Sequence, residues 1–261
     1  MDLALHGRHA LVCGASEGIG RAAALELAAL GASVTVLARR EAALREVVAS
    51  LPRTPAQAHA LLAADLADAE ALRAAVDALA ARAPVHILVN NSGGPPGGPA
   101  HAAPAAAYLA AFQQHLIAAQ TLVQALLPGM RAARWGRIVN VVSTSVYEPI
   151  PNLGVSNTVR GAMAGWAKTL SRELGGDGIT VNNVLPGYTR TRRLEQILAE
   201  RSAATGKRED DVAQAMLASV PAGRFAEAHE PAGLIAFLCS PAAAYINGQS
   251  IAVDGGRMQS I

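Results

Sequence analysis

At 261 residues the chain fits one large α/β domain better than two small ones. It is 51% hydrophobic and 16% charged, so a large core is available and global disorder is excluded. A formal charge of +2, no basic block and only 3% aromatic residues leave no footprint for nucleic acid.

Cys13 and Cys239 stand far apart in apolar runs, which reads as two buried free thiols in a reducing cytosol rather than a disulfide. The first residues lack a charged segment followed by an apolar run, so no signal peptide is indicated. No apolar stretch approaches the ~20 residues of a membrane span. Together these point to a cytoplasmic protein. The histidines are scattered, without ligand spacing, so no metal is expected.

The apolar run 10–13 predicts a buried strand that breaks into Gly14, Gly18 and Gly20, and 19–30 then reads as a helix. A strand, a glycine turn and a helix make an anion site, because the first helical N–H groups and the macrodipole both face the turn. Glycine is needed where a side chain would hold the backbone away from a pyrophosphate. The spacing is G-x-x-x-G-x-G, and taken alone it is equally an ordinary strand–helix turn.

Strands follow at 33–38, 58–63 and 85–90, with helices at 41–50 and 68–82 between them. A turn-rich loop rich in glycine and proline covers 91–99. A long helix is expected at 105–130, a strand at 136–142, a helix at 158–174 and a strand at 180–185. A more charged helical insert spans about 190–220, ahead of a last helix at 231–238 and a last strand at 250–253. Strict alternation with apolar strands implies a parallel sheet covered on both faces, and no linker divides residues 1–261. Ligands then bind beyond the carboxyl ends of the strands, where strand order reverses. The loops after positions 13, 38, 64, 90, 142 and 185 would surround one crevice.

The motifs in order are Gly14-Ala15-Ser16-Glu17-Gly18-Ile19-Gly20, Asp65-Leu66, Asn90-Asn91-Ser92-Gly93 and Gly136-Arg137-Ile138-Val139-Asn140. Ile179-Thr180-Val181-Asn182, Pro186-Gly187 with Thr191, and Val253-Asp254-Gly255-Gly256 complete the series. In that order and spacing the chain resembles the short-chain dehydrogenase/reductase family almost end to end. The resemblance implies a Rossmann-like, doubly wound parallel sheet of about seven strands with helices on both faces. It also implies a nicotinamide cofactor, a homo-oligomer (tetramer or dimer), a small-molecule substrate, and a substrate lid in the 190–220 insert.

The cofactor residues it implies are Gly14, Ser16, Glu17, Gly18, Ile19 and Gly20, then Asp65 and Leu66, then Asn90, Asn91, Ser92 and Gly93. Arg160, Pro186, Gly187, Thr189 and Thr191 follow on the far side, Arg160 beside the cofactor's ribose. Asp65 either contacts the adenine or caps the helix after it. At the end of the second strand, where a carboxylate would favour NAD(H), the chain has Ala38-Arg39-Arg40. Arginine's fork suits a 2′-phosphate, so NADP(H) is expected, the alternative being two solvated arginines at a helix start.

The family's catalytic set is a serine after the fifth strand, a Tyr-x-x-x-Lys pair and an asparagine on the long helix. Ser143 fits the serine. In the same register the tyrosine position holds Ser156, the lysine position Arg160, and the asparagine position His115. A serine hydroxyl is a far weaker acid than a phenol, and arginine keeps a charge that it cannot cycle as a proton. Substitute donors are His115, expected to be poised near neutral pH, and Tyr147 in the loop after Ser143. Each is equally readable as structural: a hydrogen-bonded histidine and a wall aromatic. Tyr188 reads as a wall residue, Ser156 as a possible helix cap, and Ser145 as an alternative to Ser143. Arg190, Arg192 and Arg193 either receive an anionic substrate or are solvated charges at a helix start.

Three functions fit. The first is an NADP(H)-dependent oxidoreductase moving a hydride to or from a carbonyl or hydroxyl substrate, 3-oxoacyl compounds included, with a non-standard centre. The second is a catalytically silent NADP(H)-binding regulatory or partner protein. The third is a reductase of an activated alkene or imine. The retained nucleotide motifs and Ser143 favour the first, and the loss of tyrosine and lysine together favours the second.

Overall fold

The computed structural model describes residues 1–260. Seven parallel strands form one sheet in the order β3-β2-β1-β4-β5-β6-β7. They are β1 (His9–Cys13), β2 (Ser33–Ala38), β3 (Ala60–Ala63), β4 (Ile87–Asn90), β5 (Gly136–Val141), β6 (Ile179–Pro186) and β7 (Ser250–Val253). The helices are α1 (Gly18–Ala29), α2 (Glu41–Ser50), α3 (Ala69–Arg82), α4 (Ala105–Phe112), α5 (Ala118–Ala132) and α6 (Gly154–Leu174). α7 (Arg192–Thr205), α8 (Glu209–Leu217) and α9 (His229–Cys239) complete the set. The expected doubly wound α/β fold is the fold present.

Alternation along the strands explains both layers. Val12, Val34, Val36 and Val89 face one side, where Leu27 of α1, Leu44 of α2 and Ile235 of α9 cover them. Leu11, Leu37, Leu88 and Ile138 face the other, against Leu72 of α3, Leu122 and Leu126 of α5 and Ala167 of α6. The sheet is apolar on both sides because neither side meets water. Cys13 and Cys239 fall in opposite layers as free thiols, each raised to about 12 by burial.

The structure departs from the expected elements in three places. The single helix expected at 105–130 is interrupted by one π-helical turn at Gln113–Ile117, with His115 at its centre. The helix expected from 158 begins four residues earlier, at Gly154, so Ser156 lies within its first turn and is not the cap. The cap of α3 is Asp68, whose side chain accepts from the Ala71 N–H. Asp65 instead accepts from the Ala67 N–H, which leaves it at the loop surface after β3. Among the described residues no helix is long and apolar enough to cross a membrane.

Candidate active site

Strand order reverses between β1 and β4, and a crevice of about 870 Å³ opens there beyond the carboxyl ends of the strands. It is lined from all six loops expected to surround it.

Its first wall is an anion cradle. Gly14 and Gly18 have φ of +59° and +57°, a region that L side chains avoid. A Cβ on Gly14 would come within 2.6 Å of the Asn91 carbonyl oxygen, so glycine is required by space as well as by backbone. Gly20 packs behind the loop, where a Cβ would collide with the Gly14 carbonyl oxygen. It therefore serves close helix–strand approach and is not on the crevice wall, unlike Gly14, Ser16, Glu17, Gly18 and Ile19. Asn91 ties the loop down, its Nδ2 donating to the Cys13 and Gly14 carbonyls at 3.3 and 3.2 Å. Glu17, at the N-cap of α1, makes no side-chain cap bond, and the first turn holds no acidic residue. The first N–H groups of α1 are thus left for a ligand, which is what a pyrophosphate requires.

Arg39 and Arg40 stand beyond this cradle, over β2, and both line the crevice. Arg40 Nη2 donates to Glu17 Oε2 at 3.1 Å across an exposed pair. Asp65, Leu66, Asn91, Ser92 and Gly93 form the floor, and Pro186, Gly187, Thr189 and Thr191 the opposite rim. A dinucleotide with an additional phosphate fits this donor set: glycine backbone and free helical N–H groups in the middle, two guanidinium groups at one end. Asn90 does not reach the crevice. Its Nδ2 donates to Asn140 Oδ1 within the sheet.

The other end holds Ser143, Ser156 and Arg160 together. Ser143 follows β5 and its Oγ accepts from the Ser145 N–H at 3.1 Å. Ser145 is buried, its hydroxyl unpartnered and off the crevice wall. Arg160 rises from α6, is buried, and donates from Nη1 to the Val141 carbonyl at 2.8 Å. Burial, then the nearby Arg193 charge, pulls its pKa down to about 10. Arg160 remains a cation at neutral pH.

Neither expected substitute donor lies on the crevice wall. His115 faces a separate cavity of about 20 Å³ behind it, shared with Asn90 and Arg160. Its Nδ1 is 2.6 Å from Ser92 Oγ, and its Nε2 has no hydrogen-bond partner among the described residues. Burial and then the Arg160 charge push its pKa down to about 3, so the expectation of a histidine poised near neutrality is corrected. Tyr147 is 53% exposed and its hydroxyl donates to the Ser250 carbonyl at 3.4 Å, away from the crevice. The short helical turn at Thr144–Val146 carries its ring outward. Tyr188 does line the crevice, as a wall residue held edge-on to Phe225 and under Arg257.

Of the arginines at the insert, Arg190 turns away to pair with Glu227 at 3.0 Å, whereas Arg192 and Arg193 line the crevice. Gln196 and Ile197 of α7 line it too and were not foreseen. Their spacing from Arg193, three and four residues, puts all three on one helical face, a signal the sequence does carry.

An open parallel sheet with a glycine turn and a free helix N-terminus at its switch point is the architecture of dinucleotide-binding α/β proteins. Residues 14–257 match the family model described as enoyl-(acyl carrier protein) reductase, and the chain belongs to the short-chain dehydrogenase/reductase family. A 3-oxoacyl-[acyl-carrier-protein] reductase of Pseudomonas aeruginosa is 32% identical over 262 residues, covering 99% of this chain and 100% of the relative. The L-sorbose reductase of Gluconobacter frateurii, solved with NADPH and L-sorbose, superposes with a TM-score of 0.93 at 30% identity, covering 100% of both chains. The 3-oxoacyl (acyl-carrier-protein) reductase of Agrobacterium tumefaciens C58, solved with NADP bound, gives a TM-score of 0.86 at 28% identity, covering 97% of this chain and 95% of that one.

Proposed function

We propose that this protein is an NADP(H)-dependent oxidoreductase acting on a carbonyl/hydroxyl pair. In this reading its centre has Ser156 and Arg160 where the family has tyrosine and lysine. The observation that carries it is one crevice with the glycine turn Gly14–Gly18 in its wall, arginines 39 and 40 at one end, and Ser143, Ser156 and Arg160 at the other. The reductases solved with NADPH or NADP bound support the cofactor.

Gly14, Gly18 and the first N–H groups of α1 would hold the pyrophosphate, Arg39 and Arg40 the 2′-phosphate, and Thr189 and Thr191 the nicotinamide end. The cofactor, when bound, supplies the hydride. Ser143 and Ser156 offer hydroxyl donors to the carbonyl oxygen. Arg160, buried and held by the Val141 carbonyl, stabilises negative charge developing there. It does not surrender its own proton, so the proton passes through a serine hydroxyl from solvent. The α7 helix closes the crevice as a lid, with Arg193 Nη2 bonded to the Pro95 carbonyl at 2.9 Å.

The test is calorimetric titration with NADPH and NADH, followed by stopped-flow oxidation of bound NADPH across ketones, 3-oxoacyl thioesters and enones. Tighter binding of NADPH and turnover of a ketone or thioester are expected. Comparable affinity for both nucleotides would refute the arginine assignment, and intact binding without any turnover would favour a silent nucleotide-binding protein.

A further inference from the structure

Charge in the crevice is distributed unevenly. Its only carboxylates, among the described residues, are Glu17 and Asp65, both on the β1–β3 side. On the β5–β6 side stand Arg160 and Arg193, and among the described residues Arg160 has no acidic partner. Arg193 reaches Glu200 only at 3.8 Å and otherwise bonds a neutral carbonyl. Both guanidinium groups converge on the same point. Arg160 Nη2 and Arg193 Nε each lie 3.9 Å from where a Cβ on Gly94 would sit.

A buried cation facing a second cation is costly unless something negative joins them. The cofactor's phosphates, held at the glycine turn, would not neutralise Arg160. Their cradle lies over β1 and β2, whereas Arg160 bonds the end of β5, two strands away, or about 10 Å at the usual spacing. Gly94, without a side chain, leaves the space between the two guanidinium groups open.

We infer that the substrate is an oxo or hydroxy acid whose carboxylate is held between Arg160 and Arg193, while its carbonyl or hydroxyl group meets Ser143 and Ser156. The inference rests on the reading of the crevice as an oxidoreductase site and adds the class of substrate. A planar carboxylate matches two guanidinium forks better than a neutral carbonyl compound does. Arg193 rides on α7, so binding the anion would also fasten the lid to the Gly94 loop.

Acetoacetate and levulinate, each beside its methyl ester, are the probes. They are titrated into the protein alone and into the protein saturated with NADP⁺, where an oxidised substrate cannot react. Each acid should bind at least about tenfold more tightly than its ester. Arg193→Gln should remove most of that difference, with the ester's affinity changing far less than the acid's, and Arg193→Lys should restore part of it. Equal binding of acid and ester by the wild-type protein, or an Arg193→Gln variant with unchanged preference for the acid, overturns the inference. Failure of NADP⁺ to bind overturns the oxidoreductase reading instead, and the titrations without nucleotide still decide the carboxylate question.

Discussion

His115 lies against Ser92 with its ring close to Arg160, so both burial and a like charge oppose a proton there. Unfolded, the imidazole would take that proton near 6.5; folded, only near 3. Between those values the unfolded chain holds more protons, so this contribution to stability is complete above about 6.5 and lost as pH falls toward 3. Replacing it by asparagine should flatten the acid limb of a stability–pH curve by up to about 1.4 kcal/mol per pH unit, measured by urea unfolding from pH 4.5 to 7. His9 and His86 are pushed the same way by burial, so the slope shrinks without vanishing. An unchanged slope would mean that His115 titrates normally in the folded protein. Glu17 offers a second test at this scale. Its carboxylate pairs with Arg40, an exposed pair of little intrinsic stability, and it lines the same crevice wall. Glu17→Gln should free the guanidinium and remove a negative charge near the 2′-phosphate position. Roughly a two- to fivefold tightening for NADPH, with less change for NADH, is expected by titration.

The turn from β1 into α1 is held by glycine conformation, and its Gly18 stands against the opposite rim at Thr191. At φ +57°, with a Cβ site 3.1 Å from Thr191 Cγ2, Gly18→Ala would cost roughly 1–2 kcal/mol in backbone strain. It would also push the loop away from the rim that Thr191 supplies. NADPH affinity should fall about tenfold or more while the thermal midpoint moves by only a few degrees. Unchanged affinity would show that the loop does not carry the phosphates. This element was legible in the sequence because its function needs glycine at fixed positions. The strands were legible because both faces are apolar. The interruption at Gln113–Ile117 was not, since a π-turn adds one residue to a helix without altering which residue types appear. Tyr147 and Arg190 stayed open between a site role and a structural one for a related reason. Their place in the chain sets them near the crevice, but the turn at Thr144–Val146 and the ion pair to Glu227 point their side chains elsewhere. Arg193 could be recognised as a charge and not as the neighbour of Arg160, because the angle at which α7 returns over the crevice is set by Tyr188, Leu194 and Phe225 packing together.

Across the whole molecule, the half of the sheet that carries Ser143 and braces Arg160 is joined by a row of polar side chains within an otherwise apolar sheet. Asn90, Asn140, Asn183 and Ser250 are register partners on β4, β5, β6 and β7. They hydrogen-bond in series: Asn90 Nδ2 to Asn140 Oδ1 at 2.8 Å, Asn140 Nδ2 to Asn183 Oδ1 at 2.9 Å, and Asn183 Nδ2 to Ser250 Oγ at 3.0 Å. A slip of one residue in any of these strands would bury unpaired amides, so the row fixes the register from which the loops after β5 and β6 depart. Asn90 ends the row at the small cavity shared with His115 and Arg160, and so connects the sheet to the site. Asn140→Ala would strand the Asn90 amide on one side and the Asn183 carbonyl oxygen on the other, at roughly 1–3 kcal/mol for each buried group left unpaired. The thermal midpoint should therefore drop by several degrees, on a scale of about 2–4 °C per kcal/mol for a domain of this size. Ser250→Ala, at the half-buried end of the row, should cost far less. Because Arg160 is braced by the Val141 carbonyl just beyond Asn140, the central substitution should also weaken binding of a carboxylate probe at a temperature where the fold is intact. A loss from Asn140→Ala no larger than that from Ser250→Ala would mean that register is held by apolar packing and not by the row.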